Sequence, residues 1–292
     1  MKFLTFRKNG EYRLGVAANQ GVLDVAAAGE RYGVSVPTSM EALIAGGAES
    51  KRAVLSVLSK AQEGNQDFLA EETIEYGPSL TRPEKIICVG TNYRKHAEES
   101  NMPIPTSPVL FSKFNNTLAG HQSTVKIPSD TKKADYEVEL VIVMGKTAQD
   151  VSEDDALNYV FGYATGNDLS ARDLQFRTVQ WLLGKSSDGF APVGPYVVTA
   201  DEVPDPNNLN LECRVNGEVR QSSNTRDMIF DCKTLVSYIS RYMTLKPGDL
   251  IFTGTPEGVI FGYPEEKQVW LKSGDEVITE VHGLGALRVV ME

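Results

Sequence analysis

Asp135-Tyr136-Glu137-Val138-Glu139-Leu140-Val141-Ile142-Val143-Met144-Gly145 is the stretch around which the chain is organised. It is rich in β-branched residues and ends at a glycine, which predicts a β-strand. Side chains alternate between the faces of a strand, so Glu137 and Glu139 point one way and Tyr136, Val138 and Leu140 the other. From Val141 to Met144 both faces are apolar, so the strand runs on into a buried sheet. Two parallel carboxylates at its mouth repel each other, and a hard divalent cation would relieve that repulsion. An edge strand with two solvated glutamates would have the same local sequence. The rest of the chain decides between them.

The chain has 292 residues, enough for one large domain or two modest ones. Its net charge is −10, from 29 basic and 39 acidic side chains, which leaves no basic excess to neutralise the phosphates of a nucleic acid. A small anionic substrate is still compatible, because a metal and a few cations can dominate one pocket. Cys88, Cys213 and Cys232 form no C-x-x-C pair, so a reducing compartment without disulfides is expected. The first ten residues contain no apolar signal-peptide core, and the apolar runs are too short to span a bilayer. The expected location is cytoplasmic.

Residues 1–78 read as a small α+β domain. Strands are expected at Lys2–Phe6, Tyr12–Ala17 and Val22–Val25, followed by helices near Val25–Tyr32 and Met40–Ala61, the second broken at Gly46-Gly47. Residues 75–84 read as a linker, and a catalytic domain is expected over 83–292. Beyond the Glu-x-Glu strand come a capped helix from Ser152, a strand Tyr159–Gly166 ending at Asp168, and a helix Ala171–Leu183. A Gly- and Pro-rich loop follows at Gly184–Pro195, then a hairpin about Asn216-Gly217, a helix Cys232–Thr244, a strand Leu250–Thr253 and a hairpin about Gly283–Gly285. Many strands with few helices predict an α+β, β-rich fold, a sandwich or roll and not βαβ repeats.

Asp168, at a strand end, is either a helix N-cap or a third oxygen ligand beside Glu137 and Glu139. An all-oxygen set of this kind favours Mg²⁺ or Mn²⁺, and Ca²⁺ less so, over zinc. Lys185 and Arg172 are placed to offset its charge. His96 and Glu99 are three residues apart and share a face on one helical turn. A carboxylate beside a histidine orients the ring as a general base, although an incidental surface pair would have the same spacing.

Gly90-x-Asn92-Tyr93-x-x-His96-x-x-Glu99, Glu137-x-Glu139-Leu140, Gly162-Tyr163-x-x-x-Asn167-Asp168-x-Ser170-Ala171-Arg172-Asp173-x-Gln175, Gly184-Lys185-Ser186 and Gly248-Asp249-x-Ile251-x-Thr253-Gly254-Thr255-Pro256-x-Gly258 occur in that order. Across residues 83–292 this set resembles the fumarylacetoacetate hydrolase family, and the leading unit is similar to the small N-terminal domain of many bacterial members. The resemblance implies a β-rich catalytic domain, a homodimer, and a divalent metal held by Glu137, Glu139 and Asp168. It also implies catalytic roles for His96, Glu99 and Lys185, with Tyr93, Arg172, Gln175 and Thr255 at the substrate. One departure is visible. Eukaryotic fumarylacetoacetases carry an extra metal-ligating aspartate just before the motif tyrosine, where this chain has Thr91-Asn92-Tyr93. The site therefore resembles the three-carboxylate kind shared by acylpyruvate hydrolases, oxaloacetate decarboxylases and the homoprotocatechuate-pathway isomerase/decarboxylase.

The expected function is hydrolysis of a carbon–carbon bond in a 2,4-dioxo acid such as fumarylacetoacetate or an acylpyruvate, with His96 and Glu99 activating water. Decarboxylation of oxaloacetate or isomerisation of a related 2-oxo acid at the same metal is the alternative. A metal-stabilised binding protein without turnover is a third class, distinguished by ligand binding with no product.

Overall fold

The structure, a computed structural model, describes residues 1–64 and 67–292. The organising stretch forms the strand Val138–Met144, buried at every residue. Val138, Leu140, Ile142 and Met144 enter one apolar cluster, whereas Val141 and Val143 enter a second on the opposite face. Each buried aliphatic side chain of this size contributes roughly 1.5–3 kcal/mol, so the strand is held firmly from both sides. It pairs antiparallel with Val160–Asn167 and with Leu250–Phe252. These pairings bring Asp168 and Gly254 to the end of the strand where Glu139 lies and which Glu137 directly precedes.

Around this centre lies a 12-stranded sheet. Its strands run in the order Phe68–Leu69, Gly21–Asp24, Glu11–Ala18, Lys2–Lys8, Ala191–Thr199, Val160–Asn167, Val138–Met144, Leu250–Phe252, Ile86–Gly90 and Val109–Lys113. Glu75–Tyr76 and Leu118–Ala119 pair onto it from the side. The helices Val25–Tyr32, Met40–Ala45 and Gly47–Gly64 cover one face, where Met40, Leu43, Val54 and Val57 share a cluster with Val141 and Val143. The other face packs against the helix Cys232–Tyr242 and a 5-stranded sheet through Leu235, Ile239, Cys213 and Val277. The result is the expected mixed, strand-rich architecture. The N-terminal strands are hydrogen-bonded into the large sheet, with Lys2 and Phe3 opposite Val198 and Val197.

The hairpin at Asn216-Gly217 forms as its sequence demands, with φ of 52° and 83° at the two turn residues. Two expectations are corrected. Residues 191–195 are not loop: Ala191–Thr199 is a strand between Lys2–Lys8 and Val160–Asn167. Its pairing shifts register between Tyr163 and Thr165, and Pro195 falls at this irregularity, where a missing N–H costs no ladder bond. Nor is 171–183 one helix. It splits into Arg172–Gln175 and Leu182–Lys185, joined by a turn in which Thr178 Oγ1 donates to Gln180 O and accepts from Gln180 N. The split has a consequence for the site. A continuous helix would separate Arg172 and Lys185 by about 20 Å along its axis, whereas here both contact Glu137.

Candidate active site and metal centre

Glu137, Glu139 and Asp168 converge as expected: one ligand oxygen from each lies within 4.8 Å of the others, and all three residues are buried. Asp168 is no helix N-cap. The strand Ser170–Ala171 separates it from the helix, and its N–H donates to Glu137 O at 2.9 Å. Glu137 Oε1 meets Arg172 Nη2 at 2.6 Å, and Glu137 Oε2 meets Lys185 Nζ at 2.9 Å. Lys185 Nζ also reaches Asp168 Oδ2 at 2.8 Å. Glu139 has no such cation; its Oε2 accepts from Gly254 N at 2.7 Å. Gly254 has φ +100°, and a side chain there would begin 2.7 Å from Asn92 Cβ, so glycine is required for that approach.

The electrostatics follow from this unequal pairing. Burial alone would raise the Glu137 carboxyl, but Lys185 and Arg172 hold it well below its ordinary value. Burial, with Asp168 and Glu137 close by, pushes the Glu139 carboxyl well above its ordinary value. Burial opposes the charge on Lys185, yet Asp168 and Glu137 keep its ammonium above the usual lysine value. A buried all-carboxylate cluster with one member left uncompensated is chemistry that a hard divalent cation satisfies. The residues therefore fit a metal of the Mg²⁺ or Mn²⁺ class.

His96 and Glu99 lie on the short helix Arg94–Glu99, where Nδ1 and Oε1 are 2.8 Å apart. Glu99 Oε2 accepts from Gly258 N at 2.9 Å, so the carboxylate is fixed at both oxygens. Accepting at both oxygens, Glu99 makes Nδ1 the donor and leaves Nε2 as the basic nitrogen. His96, Glu137, Glu139, Arg172, Gln175, Lys185 and Thr255 line a single cavity of about 30 Å³. That is room on the order of two water molecules. Its apolar wall includes Phe111, Phe176, Trp181 and Phe261.

Arg172 Nη1 donates to Gln175 Oε1 at 3.0 Å, which turns the Gln175 amide nitrogen away as a free donor. Gly184 makes this corner possible, since a Cβ there would stand 2.4 Å from Gln175 N. Thr255 spends its hydroxyl hydrogen on Val138 O at 3.0 Å and accepts from Gln221 Nε2 at 2.8 Å. Tyr93 is apart from the others: it is fully buried in the core and does not line the cavity.

Sequence reasoning passed over Asp135 and Lys113. Asp135 Oδ2 accepts from Arg172 Nε at 2.9 Å and from Phe261 N at 3.0 Å, and its Oδ1 accepts from Ile260 N at 2.9 Å. The alternation that pairs Glu137 with Glu139 also puts Asp135 on their face, and that signal was available. Lys113 stands 2.5 Å from Asp168 Oδ1. Burial pulls its ammonium below the usual lysine value, against the opposing pull of Asp168.

Comparison with known proteins agrees with this site. Residues 85–292 match the family domain described as fumarylacetoacetate (FAA) hydrolase C-terminal. A fumarylacetoacetate hydrolase domain-containing protein 2 homolog of Dictyostelium discoideum is 42% identical, over 98% of this chain and 96% of its own length. The mitochondrial oxaloacetate tautomerase of Homo sapiens named FAHD2A is 43% identical over 82% of this chain and 76% of its own length. The crystal structure of maleylpyruvate hydrolase from Sphingobium sp. SYK-6, in complex with manganese(II) ion and pyruvate, superposes with a TM-score of 0.79 at 30% identity, covering 100% of this chain and 98% of that one. Among the described residues no helix is long and apolar enough to cross a membrane. Motif order, fold and relatives converge, and the chain belongs to the fumarylacetoacetate hydrolase family.

Proposed function

We propose that this protein is a divalent-metal-dependent enzyme that enolises a small 2-oxo dicarboxylic acid, with tautomerisation of oxaloacetate as its reaction. The observation that carries the reading is the cavity itself. Its lining brings Glu137 and Glu139 together with His96 and Lys185 behind aromatic walls, with Asp168 and Glu99 hydrogen-bonded to these side chains. Its similarity to oxaloacetate tautomerases at 39–43% identity supports the same substrate class.

Glu137, Glu139 and Asp168 would hold Mg²⁺ or Mn²⁺, and the ion's contribution when bound is Lewis-acid polarisation of the 2-oxo carbonyl. The remaining work belongs to side chains. His96 Nε2 takes the proton from C3 of the acid while Glu99 steadies the imidazolium. Lys185 and the free amide nitrogen of Gln175 stand beside the oxygen on which charge develops. The proton then returns to that oxygen, so a C–H bond breaks, an O–H bond forms and nothing else is consumed. The aromatic walls keep bulk water from the intermediate.

A second reading has its own support. The same His96 nitrogen can deprotonate a water, and the similarity to maleylpyruvate hydrolase favours carbon–carbon hydrolysis of an acylpyruvate or of fumarylacetoacetate. A panel of oxaloacetate, acetylpyruvate and fumarylacetoacetate with Mg²⁺ or Mn²⁺ separates the readings. Metal-stimulated keto–enol interconversion of oxaloacetate without release of carbon dioxide is expected. Turnover of the dioxo acids alone would transfer the assignment to the hydrolase, and binding without any turnover would sink both. A homodimer in a reducing compartment such as the cytoplasm completes the proposal. The exposed apolar side chains of Phe114, Val179 and Leu183 and the three buried free thiols support it.

A further inference from the structure

The cavity that holds the site has a second cavity behind one of its walls. This neighbour measures about 460 Å³, and Ile86, Leu110, Leu182 and Met243 are among its apolar lining. Among the described residues the two cavities share only Phe111 and Trp181, so these two form the wall between them. Their rings meet edge to face, with centroids 5.4 Å apart and planes at 67°, an arrangement aromatic pairs prefer. The indole lies against the backbone of Gly90, where a Cβ would stand 2.6 Å from Trp181 Cζ3 and 2.9 Å from Cη2. Gly90 also lines the site, so it is the missing side chain there that lets the indole close it. The two rings differ in what else they carry. Phe111 belongs to a strand paired with Ile86–Gly90, and Lys185 Nζ stands 5.0 Å from its ring centroid, so it also supports the lysine of the site. Trp181 closes the turn before the helix Leu182–Lys185, and its O accepts from Gly184 N at 3.0 Å, a main-chain bond that does not depend on the indole.

We propose that Trp181 is a specificity-determining residue: its indole shuts the acid pocket off from an apolar cavity that would otherwise take the tail of a longer 2-oxo acid. The head of any such acid is drawn to the polar side of the pocket, where Arg172 and Lys185 lie beside the carboxylate cluster. Chain length is then read at the indole. An acid with an alkyl tail runs into Trp181, and the apolar surface of Ile86, Leu110 and Met243 that could bury that tail stays out of reach behind it. Discrimination of this kind works by exclusion and costs the short substrate nothing. The inference deepens the proposed function and rests on its 2-oxo acid reading, and it concerns binding, not turnover.

The test is calorimetric titration of the full-length protein, in Mn²⁺, with pyruvate and with 2-oxooctanoate, which share a head and differ in tail. Wild type, Trp181→Phe and Trp181→Ala are compared, and the readout is the ratio of the two affinities. Wild type should favour pyruvate. The 2-oxooctanoate:pyruvate ratio is expected to rise about tenfold or more in Trp181→Ala, the scale on which an apolar pocket tells chain lengths apart. A smaller rise is expected in Trp181→Phe, which shortens the wall by one ring; if the alanine variant does not fold, this rise decides alone. An unchanged ratio in the folded variants would overturn the proposal. A wild type that binds the long acid as tightly as pyruvate would overturn it too, since the indole would then exclude nothing. A protein that binds neither acid marks a different failure, that of the 2-oxo acid reading itself, and the inference falls with it.

Discussion

The two halves of the site rest on unlike supports. Glu139 lies in the central strand Val138–Met144, buried at every residue between two apolar clusters, and Glu137 and Asp168 directly flank that strand and its neighbour Val160–Asn167. His96 and Glu99 ride on a six-residue helix between a turn and a proline-bearing segment, with only His96 and Ala97 buried in it. Precise geometry for several oxygens needs a rigid frame, and sheets provide that better than loops. Delivery of one proton to a substrate that must enter and leave favours an element of lower local stability. On the proposed roles, the charge cluster would sit on the stiffer backbone and the proton carrier on the softer one.

Four experiments probe that division. The largest effect belongs to the stiff half. Removing the metal with EDTA should abolish activity and excess Mg²⁺ or Mn²⁺ should restore it, while Glu139→Ala should lose metal binding in calorimetry and keep its circular dichroism spectrum. Full activity in metal-free protein would dissolve the comparison. Next, His96→Ala should lower the rate by about 10²–10⁴-fold, the usual scale for loss of a general base, with metal affinity nearly unchanged. A parallel fall in metal affinity would show that the two halves are one unit. Glu99→Gln keeps the shape of the pair but removes its charge, which typically is worth about 1.5–3 kcal/mol for a charged hydrogen bond. A smaller rate loss than in His96→Ala is expected, visible as a change in the pH–rate profile; equal losses would make Glu99 itself a proton carrier. The subtlest effect is in hydrogen exchange. Amides of 92–100 should gain protection when oxalate binds, and only in the presence of metal, whereas those of 138–144 should be protected throughout. Full protection of 92–100 in the free protein would mean that the helix is as fixed as the sheet.

The carboxylate cluster was legible because strand periodicity is short-range: residues two apart share a face, and Glu137 and Glu139 had to. The His96–Glu99 pair was legible from the spacing of one helical turn. Lys113 was not. A single lysine at the end of an apolar strand has the same sequence whether it meets water or Asp168, and the partner lies 55 positions away. The turn at 178–180 carries neither glycine nor proline, so nothing local marked the break that brings Lys185 back to Glu137. Ala191–Thr199 was hidden by its prolines, and the strand that pairs with it on one side begins at Lys2, at the far end of the chain. The aromatic wall of the cavity depends on how Phe111, Trp181 and Phe261 pack and has no signature in their spacing.

The pairing of Lys2–Lys8 with Ala191–Thr199 also bears on how this catalytic unit can exist alone. A protein trimmed to residues 83–292 would keep every proposed ligand and base. It would also turn an interior strand into a bare border at Val197–Thr199, and the apolar face of Val141 and Val143 would be stripped of Met40, Leu43 and Val54. Such borders recruit strands from other molecules. The leading residues therefore act as a selvedge for the sheet, and fragments without them should accumulate as aggregates rather than as miniature enzymes.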